Sequence, residues 1–290
     1  MTVNNLLRAM LITLFPLCLS IVPSFAIGAE TDKLANYQQQ YRHPDPQVRI
    51  RAVGFLGTLG PKAIPSLIEA LRDDDRMVGH HAEQALRKIG PASLSALDGM
   101  LEDSHFEAPH RAAHAIVWMG PAAAPTIIKV LQEYRPDAWN RLYEVSNISN
   151  LPDETKAALV PKLIELFTHP DIEVQIRAML YMGYMKPASH TALPHIVQAL
   201  KGNTILRDKS ARVLYGIGYA ATPFLVQALQ DPDPEVRRFV VQMLTSPAFS
   251  RNEVVHGLQQ VCAGDSSPAI RQQAKTILQH SFRRPLDAGC

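Results

Sequence analysis

A repeat of thirty residues constrains this chain more than any other feature. Gly60-Pro61, Gly90-Pro91 and Gly120-Pro121 follow one another at that fixed interval. A glycine can adopt the left-handed conformation that ends a helix, and a proline suits the first turn of the next helix. A period of this length is typical of proteins built from stacked structural repeats. The spacing therefore predicts a series of helix–turn–helix units.

Apolar residues recur with the same period on both sides of the Gly-Pro turn, at the spacing of one helix face. Across the first three units the equivalent residues are Val48, Val78 and Ala108; Ala52, Ala82 and Ala112; Leu56, Leu86 and Ile116; Leu67, Leu97 and Ile127; and Leu71, Leu101 and Leu131. Several units also begin with a residue that can cap a helix, followed in some of them by proline. The expected caps are Asp45, Asp75, Asp171, Asn203 and Asp233.

These patterns predict an all-α protein, a right-handed α-solenoid of about seven to eight helix-turn-helix repeats over residues 45–262. Solenoids need polar caps at both ends, and we assign these to an N-terminal helix at 30–44 and to a helix and tail at 263–290. The fourth repeat, about 136–168, is irregular because it lacks the Gly-Pro pair and contains extra residues. We expect Asp153 to cap its second helix, and the inserted residues to lie at a binding face or to be a local irregularity.

The motif Asp45-Pro46-Gln47-Val48-Arg49, with Ala52, Leu56 and Gly60-Pro61 after it, resembles the HEAT repeat. The resemblance is to the short variety found in phycobilisome-lyase-like proteins, and Asp233-Pro234-Glu235-Val236-Arg237 repeats the motif. It implies a solenoid that serves mostly as a protein-binding scaffold, with a few enzymes in the superfamily. It also implies ladders of Asp and Arg between neighbouring repeats. On this basis the residues expected to be structural are Asp45, Arg49, Asp233, Arg237 and Arg271.

Residues 1–29 have the order of a secretory signal peptide: a weakly basic start, an apolar stretch and small residues before a cleavage site. We predict a signal peptide at 1–26, cleaved after Ala26 or Ala29. The protein is then exported, to the periplasm or beyond. The alternative is an uncleaved segment that tethers the chain to a membrane, and no other membrane insertion is expected.

The charge and the exposed residues favour another protein as the partner. A formal net charge of +2 supplies no large field to attract nucleic acid. In HEAT-type superhelices the second helix of each unit lines the concave surface, and its expected outward residues, such as Lys62, Ser66 and Gln227, are mixed in charge. We predict a non-catalytic scaffold or adaptor without a cofactor and make no prediction of its oligomeric state. The candidate partner-binding residues are Tyr134, Trp139, Tyr143, Lys129, His195 and Gln198. Trp139 and Tyr143 are four residues apart on one helix face and have a second interpretation as core residues.

Histidines in the second and third repeats give the alternative function. His80 and His110 are one period apart, and His114 lies one helical turn beyond His110, so their imidazoles are candidate ligands for a transition metal. Deoxyhypusine hydroxylase, a HEAT-like enzyme, binds iron through repeated His-Glu pairs. Here His81 and Arg111 occupy the positions of the glutamates, which argues against that site. The alternatives are therefore a metal-binding hydroxylase-like enzyme and, second, a chromophore-lyase-like activity; no catalytic residue is predicted.

Two cysteines remain after removal of a signal peptide that would carry Cys18 away. Cys262 and Cys290 form an even pair in an oxidising compartment, where disulfides persist. A bridge would tie the C-terminal tail to the seventh repeat, and the alternative is two unpaired thiols.

Overall fold

The computed structural model describes residues 22–133, 135–145, 151–183, 185 and 188–282. In these residues the regular elements are α-helices and short 3-10 turns, which confirms the all-α repeat fold. Contacts divide the chain into two compact units, Met1–Met119 and Gly120–Cys290. Residues 1–21 of the predicted signal peptide lie outside the described residues.

The first unit contains the N-terminal helix and the first two complete helix pairs. Its helices are α1 (Val22–Tyr41), α2 (Pro46–Thr58), α3 (Ile64–Ala70), α4 (Arg76–Ile89), α5 (Leu94–Met100) and α6 (Ala108–Val117). The helix α1 includes most of the predicted capping segment and both predicted cleavage positions, so cleavage stays a prediction. Two contacts join α1 to the first repeat: the Tyr37 ring stacks on Phe55 at 4.9 Å, and Gln38 Nε2 donates to Ser66 Oγ at 2.8 Å.

The second unit contains the remaining helices. They are α7 (Ala124–Gln132), α8 (Pro136–Val145), α9 (Asp153–Leu166), α10 (Ile172–Gly183), α11 (Leu193–Gln198), α12 (Thr204–Ile217), α13 (Thr222–Ala228), α14 (Pro234–Met243), α15 (Arg251–Gly264) and α16 (Pro268–His280). The irregular fourth repeat consists of α8 and α9. The predicted C-terminal cap corresponds to α16, which packs against α14 and α15.

Glycines with positive φ make the tight turns, as the period predicts. The φ angles are 70° at Gly60, 81° at Gly90 and Gly120, and 79° at Gly218. Each glycine opens a short 3-10 turn, and the second α-helix begins only after this turn, later than the sequence pattern predicts. At Gly218 the next residue is Tyr219 instead of proline. The turn therefore depends on the left-handed glycine, and the proline only assists it.

The repeated apolar rows form the core. Ala52, Ala82 and Ala112 are fully buried, as are the leucine and isoleucine rows on either side of the turn. Small residues let the first helices approach closely: a Cβ atom added at Gly57 would lie 2.8 Å from the Ala85 Cβ. Phe55 lies three residues after Ala52, at the spacing of one helix face, but it is 48% exposed, and Val53 is buried instead. The difference arises because Phe55 packs beside Tyr37 of α1, outside the helix pair.

The predicted caps are present where the motif is regular. Asp45 Oδ1 accepts the Gln47 N–H at 2.9 Å, and Asp75, Asp233 and Asn203 cap their helices in the same way. The prediction for Asp153 is wrong, because Pro152 precedes α9 as the cap residue and Asp153 is the first helical residue. The Asp153 carboxylate instead contacts Lys156, at 3.1 Å from its Nζ.

Arginines connect neighbouring repeats, in a different pairing from the expected ladder. Arg49 binds Asp73 and Arg237 binds Asp265, each with two nitrogen atoms at 2.8–3.0 Å. The acidic partner lies in the loop before the next repeat, because Asp45 and Asp233 are engaged as caps of their own helices. The Arg237 guanidinium lowers the pKa of Asp265 below its usual value. Arg271 also reaches this loop, where its Nη1 donates to the Asp265 carbonyl oxygen.

The left-handed turn predicts different outcomes for two glycines of the second repeat. Gly90→Ala forces a Cβ atom into the left-handed region and should destabilise the protein by about 1–2 kcal/mol. Gly99→Ala, inside α5 with open space around its added Cβ, should leave stability unchanged or raise it by up to about 1 kcal/mol. Urea unfolding monitored by circular dichroism measures both. Equal effects of the two substitutions would contradict the role of the turn.

The Arg237–Asp265 pair predicts a pH-dependent stability. The side chains of Arg237 and Asp265 are only 10% and 2% exposed. Asp265→Asn retains an oxygen acceptor for the Ser267 N–H but loses the charge, and should cost about 1.5–3 kcal/mol at neutral pH. Because the pKa of Asp265 is lowered by folding, its contribution is complete above the unfolded pKa of about 4 and is lost as the pH falls further.

The free energies of unfolding of the unsubstituted protein and of Asp265→Asn should therefore differ strongly at pH 7 and less at pH 3. Glu235→Gln is the matched control, since its pair with Arg238 is exposed. A difference that does not change with pH would rule out this ion pair as the cause.

Candidate functional site

The second helices of the second unit carry an open groove between α11 and α13. Its cavity volume is about 410 Å³, and Val197, Phe224 and Val236 contribute apolar walls. Pro194 and Pro223 occupy the first turns of the two helices, where the missing N–H costs no hydrogen bond. The groove therefore follows directly from the stacking of two helices that start in the same way.

Polar groups surround this apolar floor. Gln198 and Gln227 line the groove and are exposed, and Lys201 Nζ lies 2.8 Å from Asp231 Oδ2 at its edge. Burial of Asp231 opposes its ionisation, but Lys201 and the Asp233 N–H outweigh burial and keep the pKa of Asp231 below its usual value. The groove thus presents an apolar centre with a charged and amide-bearing rim.

The structure places the predicted partner-binding residues in different environments. Lys129, His195 and Gln198 are exposed on second helices, and Gln198 alone among them lines the groove. Tyr134 lies outside the described residues. Ser66, expected to face outward, is buried at 6% exposure under α1.

The aromatic pair of the irregular repeat packs inside its unit. The Trp139 ring lies 5.3 Å from Tyr143 and 5.8 Å from Tyr181, measured between centroids. Tyr181 is fully buried on α10, and Trp139 is half-buried. This geometry supports the interpretation of Trp139 as a core residue between first helices.

A second cavity, of about 610 Å³, lies between α9 and the 3-10 turn Ala188–Ala192. Its walls are mostly apolar, and Lys156 lines it although that residue is only 5% exposed. Sequence reasoning missed Lys156. Its position in the sequence could have indicated burial, because Lys156 lies three and four residues before the buried Leu159 and Val160 and therefore on the same face of the helix.

In the first unit, two of the predicted histidines meet at a buried glutamate. His114 Nδ1 lies 2.6 Å from Glu83 Oε1, His80 Nδ1 lies 3.8 Å from Oε2, and the Glu83 side chain is only 6% exposed. His80 and His110, one period apart in the sequence, lie on helices that pack against each other, α4 and α6. A pattern of adjacent His and Glu residues does not indicate Glu83, because Glu83 follows His80 by three residues. That spacing corresponds to about one helical turn and places both side chains on the same helix face.

Arg87 and Trp118 complete this cluster. Arg87 Nη1 lies 3.8 Å from Glu83 Oε1, and its guanidinium carbon lies 6.0 Å from the Trp118 ring centroid. The Trp118 ring is also 6.1 Å from that of His114. Arg111 is directed elsewhere, since its Nη1 donates to the Leu71 carbonyl oxygen at 2.6 Å. In this cluster the buried carboxylate of Glu83 contacts the His114 imidazole and the Arg87 guanidinium, and the Trp118 indole lies beside both.

The described residues contain no group of three or more His, Cys, Asp and Glu side chains arranged to hold a metal ion. The closest contact in the histidine cluster is a direct one between Glu83 and His114. In the same described ranges, no helix combines the length and the apolar character needed to cross a bilayer. Cys262 is buried and disulfide-bonded, but Cys290 lies outside the described residues, so the predicted pairing of these two stays a prediction.

In a comparison with known proteins, one family model matches a segment of each unit. The family model described as HEAT repeats matches residues 35–117 and 222–281. These segments include the two motifs, Asp45–Arg49 and Asp233–Arg237, from which the resemblance was predicted. Comparison of the sequence with curated proteins gave no match.

Several solved structures are similar to the chain. Human deoxyhypusine hydroxylase in complex with glycerol is 22% identical over 89% of this chain and 99% of its own, with a TM-score of 0.34. The complex of CpcE and CpcF of phycocyanin lyase from Nostoc is 18% identical over 84% and 94%, with a TM-score of 0.30. An engineered protein is 17% identical over 86% and 96%, with a TM-score of 0.27. Similarities at this level carry no argument about activity.

The Glu83 cluster predicts a measurable coupling between two repeats. His114→Ala removes the nearest donor of a buried carboxylate and should cost about 1–3 kcal/mol. A double-mutant cycle with Glu83→Gln should give a coupling energy of at least about 0.5 kcal/mol. His80→Ala is the matched control, because the His80 Nδ1 lies 3.8 Å from the nearest Glu83 oxygen, whereas that of His114 lies at 2.6 Å. Equal coupling of His80 and His114 to Glu83 would contradict the geometry.

Proposed function

We propose that this protein is a non-catalytic interaction scaffold that binds a partner chain on the second helices of its HEAT-like repeats. The groove between α11 and α13 is the observation that carries this proposal. Its apolar floor at Val197 and Phe224 and its polar rim at Gln198, Gln227 and Lys201 have the composition of a protein interface. Stacked helix pairs commonly present such a surface to another chain.

We also propose that the scaffold acts after export, in the periplasm or outside the cell. The order of basic, apolar and small residues in 1–29 supports export. An uncleaved segment that tethers the scaffold to a membrane is the alternative.

A metal-binding enzyme is the second candidate: His80 and His114 both approach Glu83, although in the described residues these side chains do not form a group arranged to hold a metal ion. Rotation of the His114 ring away from its direct contact is needed before a metal ion can lie between these groups. Elemental analysis of the purified protein after dialysis decides between the candidates. Bound iron or zinc that Glu83→Gln removes would favour the metal site, and metal-free protein that retains partner binding would favour the scaffold.

Site-specific cross-linking tests the scaffold proposal. A photo-reactive amino acid at Gln198 should give a discrete adduct with the partner in the protein's own compartment. The same amino acid at Arg212, exposed on the first helix α12, should not. Phe224→Ala, introduced together with the probe at Gln198, should reduce the adduct by about tenfold, because apolar anchors dominate interface energies.

Circular dichroism of each variant controls for folding. Equal adducts at positions 198 and 212, or an adduct that Phe224→Ala does not change, would contradict binding in this groove.

A further inference from the structure

The cavity beside α9 differs from the groove between α11 and α13 in having a buried positive charge at an apolar wall. Val160, Pro161 and Ile164 of α9 and Ala188 of the facing 3-10 turn supply the apolar surface. The volume of about 610 Å³ lies within the range of small-molecule sites, about 300–1,000 Å³. Lys156 lines the same space, and its side chain is only 7% exposed.

The ammonium group of Lys156 is poorly compensated for a buried charge. In the described part of the chain its ion-pair partner is Asp153, at 3.1 Å. The Asp153 side chain is 95% exposed, so water screens its charge and the pair contributes little. An ammonium group carries three donors, and this contact uses one of them. The cost of burying Lys156 is thus already part of the folded state, and an anion that enters the cavity gains a strong partner.

The apolar wall determines the rest of the ligand. A small inorganic anion would contact Lys156 but leave the surface of Ala157, Pro161 and Ile164 exposed to water. A neutral hydrocarbon would cover that surface but leave the ammonium donors unused. A molecule with one carboxylate and an unbranched apolar tail satisfies both, since burial of each CH₂ group adds roughly 0.8 kcal/mol in a non-directional way. Repulsion by Asp153 is small because its carboxylate lies in solvent.

We propose that this cavity binds a straight-chain monocarboxylate, whose head group replaces Asp153 on the Lys156 ammonium and whose tail lies along α9 against Ala188. The site is separate from the groove between α11 and α13 and goes beyond the scaffold function. It lies in the irregular repeat, where the sequence departs from the thirty-residue period.

Isothermal titration calorimetry tests the proposal. The protein, with residues 22–282 present, is titrated with dodecanoate that is kept below the micellar concentration of dodecanoate. The expected result is one molecule bound per chain. Lys156→Met retains the length of the side chain without its charge and should weaken binding by about tenfold or more. Lys162→Met is the matched control, because Lys162 is exposed on the same helix and does not line the cavity. It should leave the affinity unchanged.

A second comparison uses only the unsubstituted protein, so that it does not depend on the folding of a variant. Methyl dodecanoate has the same tail without the charge and should bind about tenfold more weakly than dodecanoate. Absence of saturable binding, equal affinities of acid and ester, or equal effects of the Lys156 and Lys162 substitutions would overturn the proposal. Displacement of dodecanoate by an acidic peptide but not by shorter monocarboxylates would also overturn it, in favour of a protein ligand.

Discussion

The structure depends on the inability of a short helix pair to bury its own apolar face. Helices such as α3 and α5 contain only seven residues each, too few to be stable alone in water. They persist because each pair covers the next, and the fully buried alanine row lets the first helices come close enough to do so. The left-handed glycines make this possible by reversing the chain within a few residues. The groove between α11 and α13 and the ion pairs of Arg49 and Arg237 arise at contacts between successive pairs.

Polar interactions then fix how one repeat meets the next. An arginine of a first helix binds an aspartate in the loop that precedes the next repeat, and the cap aspartates leave that arginine free to do so. Arg111 has a related role, since its guanidinium donates to two carbonyl oxygens at the end of the first repeat and occupies the space into which a Cβ atom at Gly79 would project. The contact between Glu83 and His114 also joins two repeats, and its histidine is partly exposed to solvent. These contacts stabilise the stack and also leave functional groups at its surface.

The groove and the cavity on which the two proposals rest both involve second helices. The groove between α11 and α13 combines an apolar floor with a polar rim, and the cavity beside α9 adds a buried ammonium group. The aromatic residues that drew attention in the sequence have a different role, because Trp139 packs on the fully buried Tyr181. In a solenoid the regular positions are needed for stacking, so a partner is recognised by the residues between them.

The sequence alone determined the repeat, its turns and most of its caps. These are local properties: a glycine that needs positive φ and an aspartate that caps the next helix act within a few residues of each other. The tertiary structure decided which side chains meet across repeats. Glu83 and His114 are thirty-one residues apart, and their contact depends on how α4 and α6 rotate against each other. The burial of Lys156, the exposure of Phe55 and the covering of Ser66 likewise depend on neighbouring elements, and a periodic pattern contains no information about them.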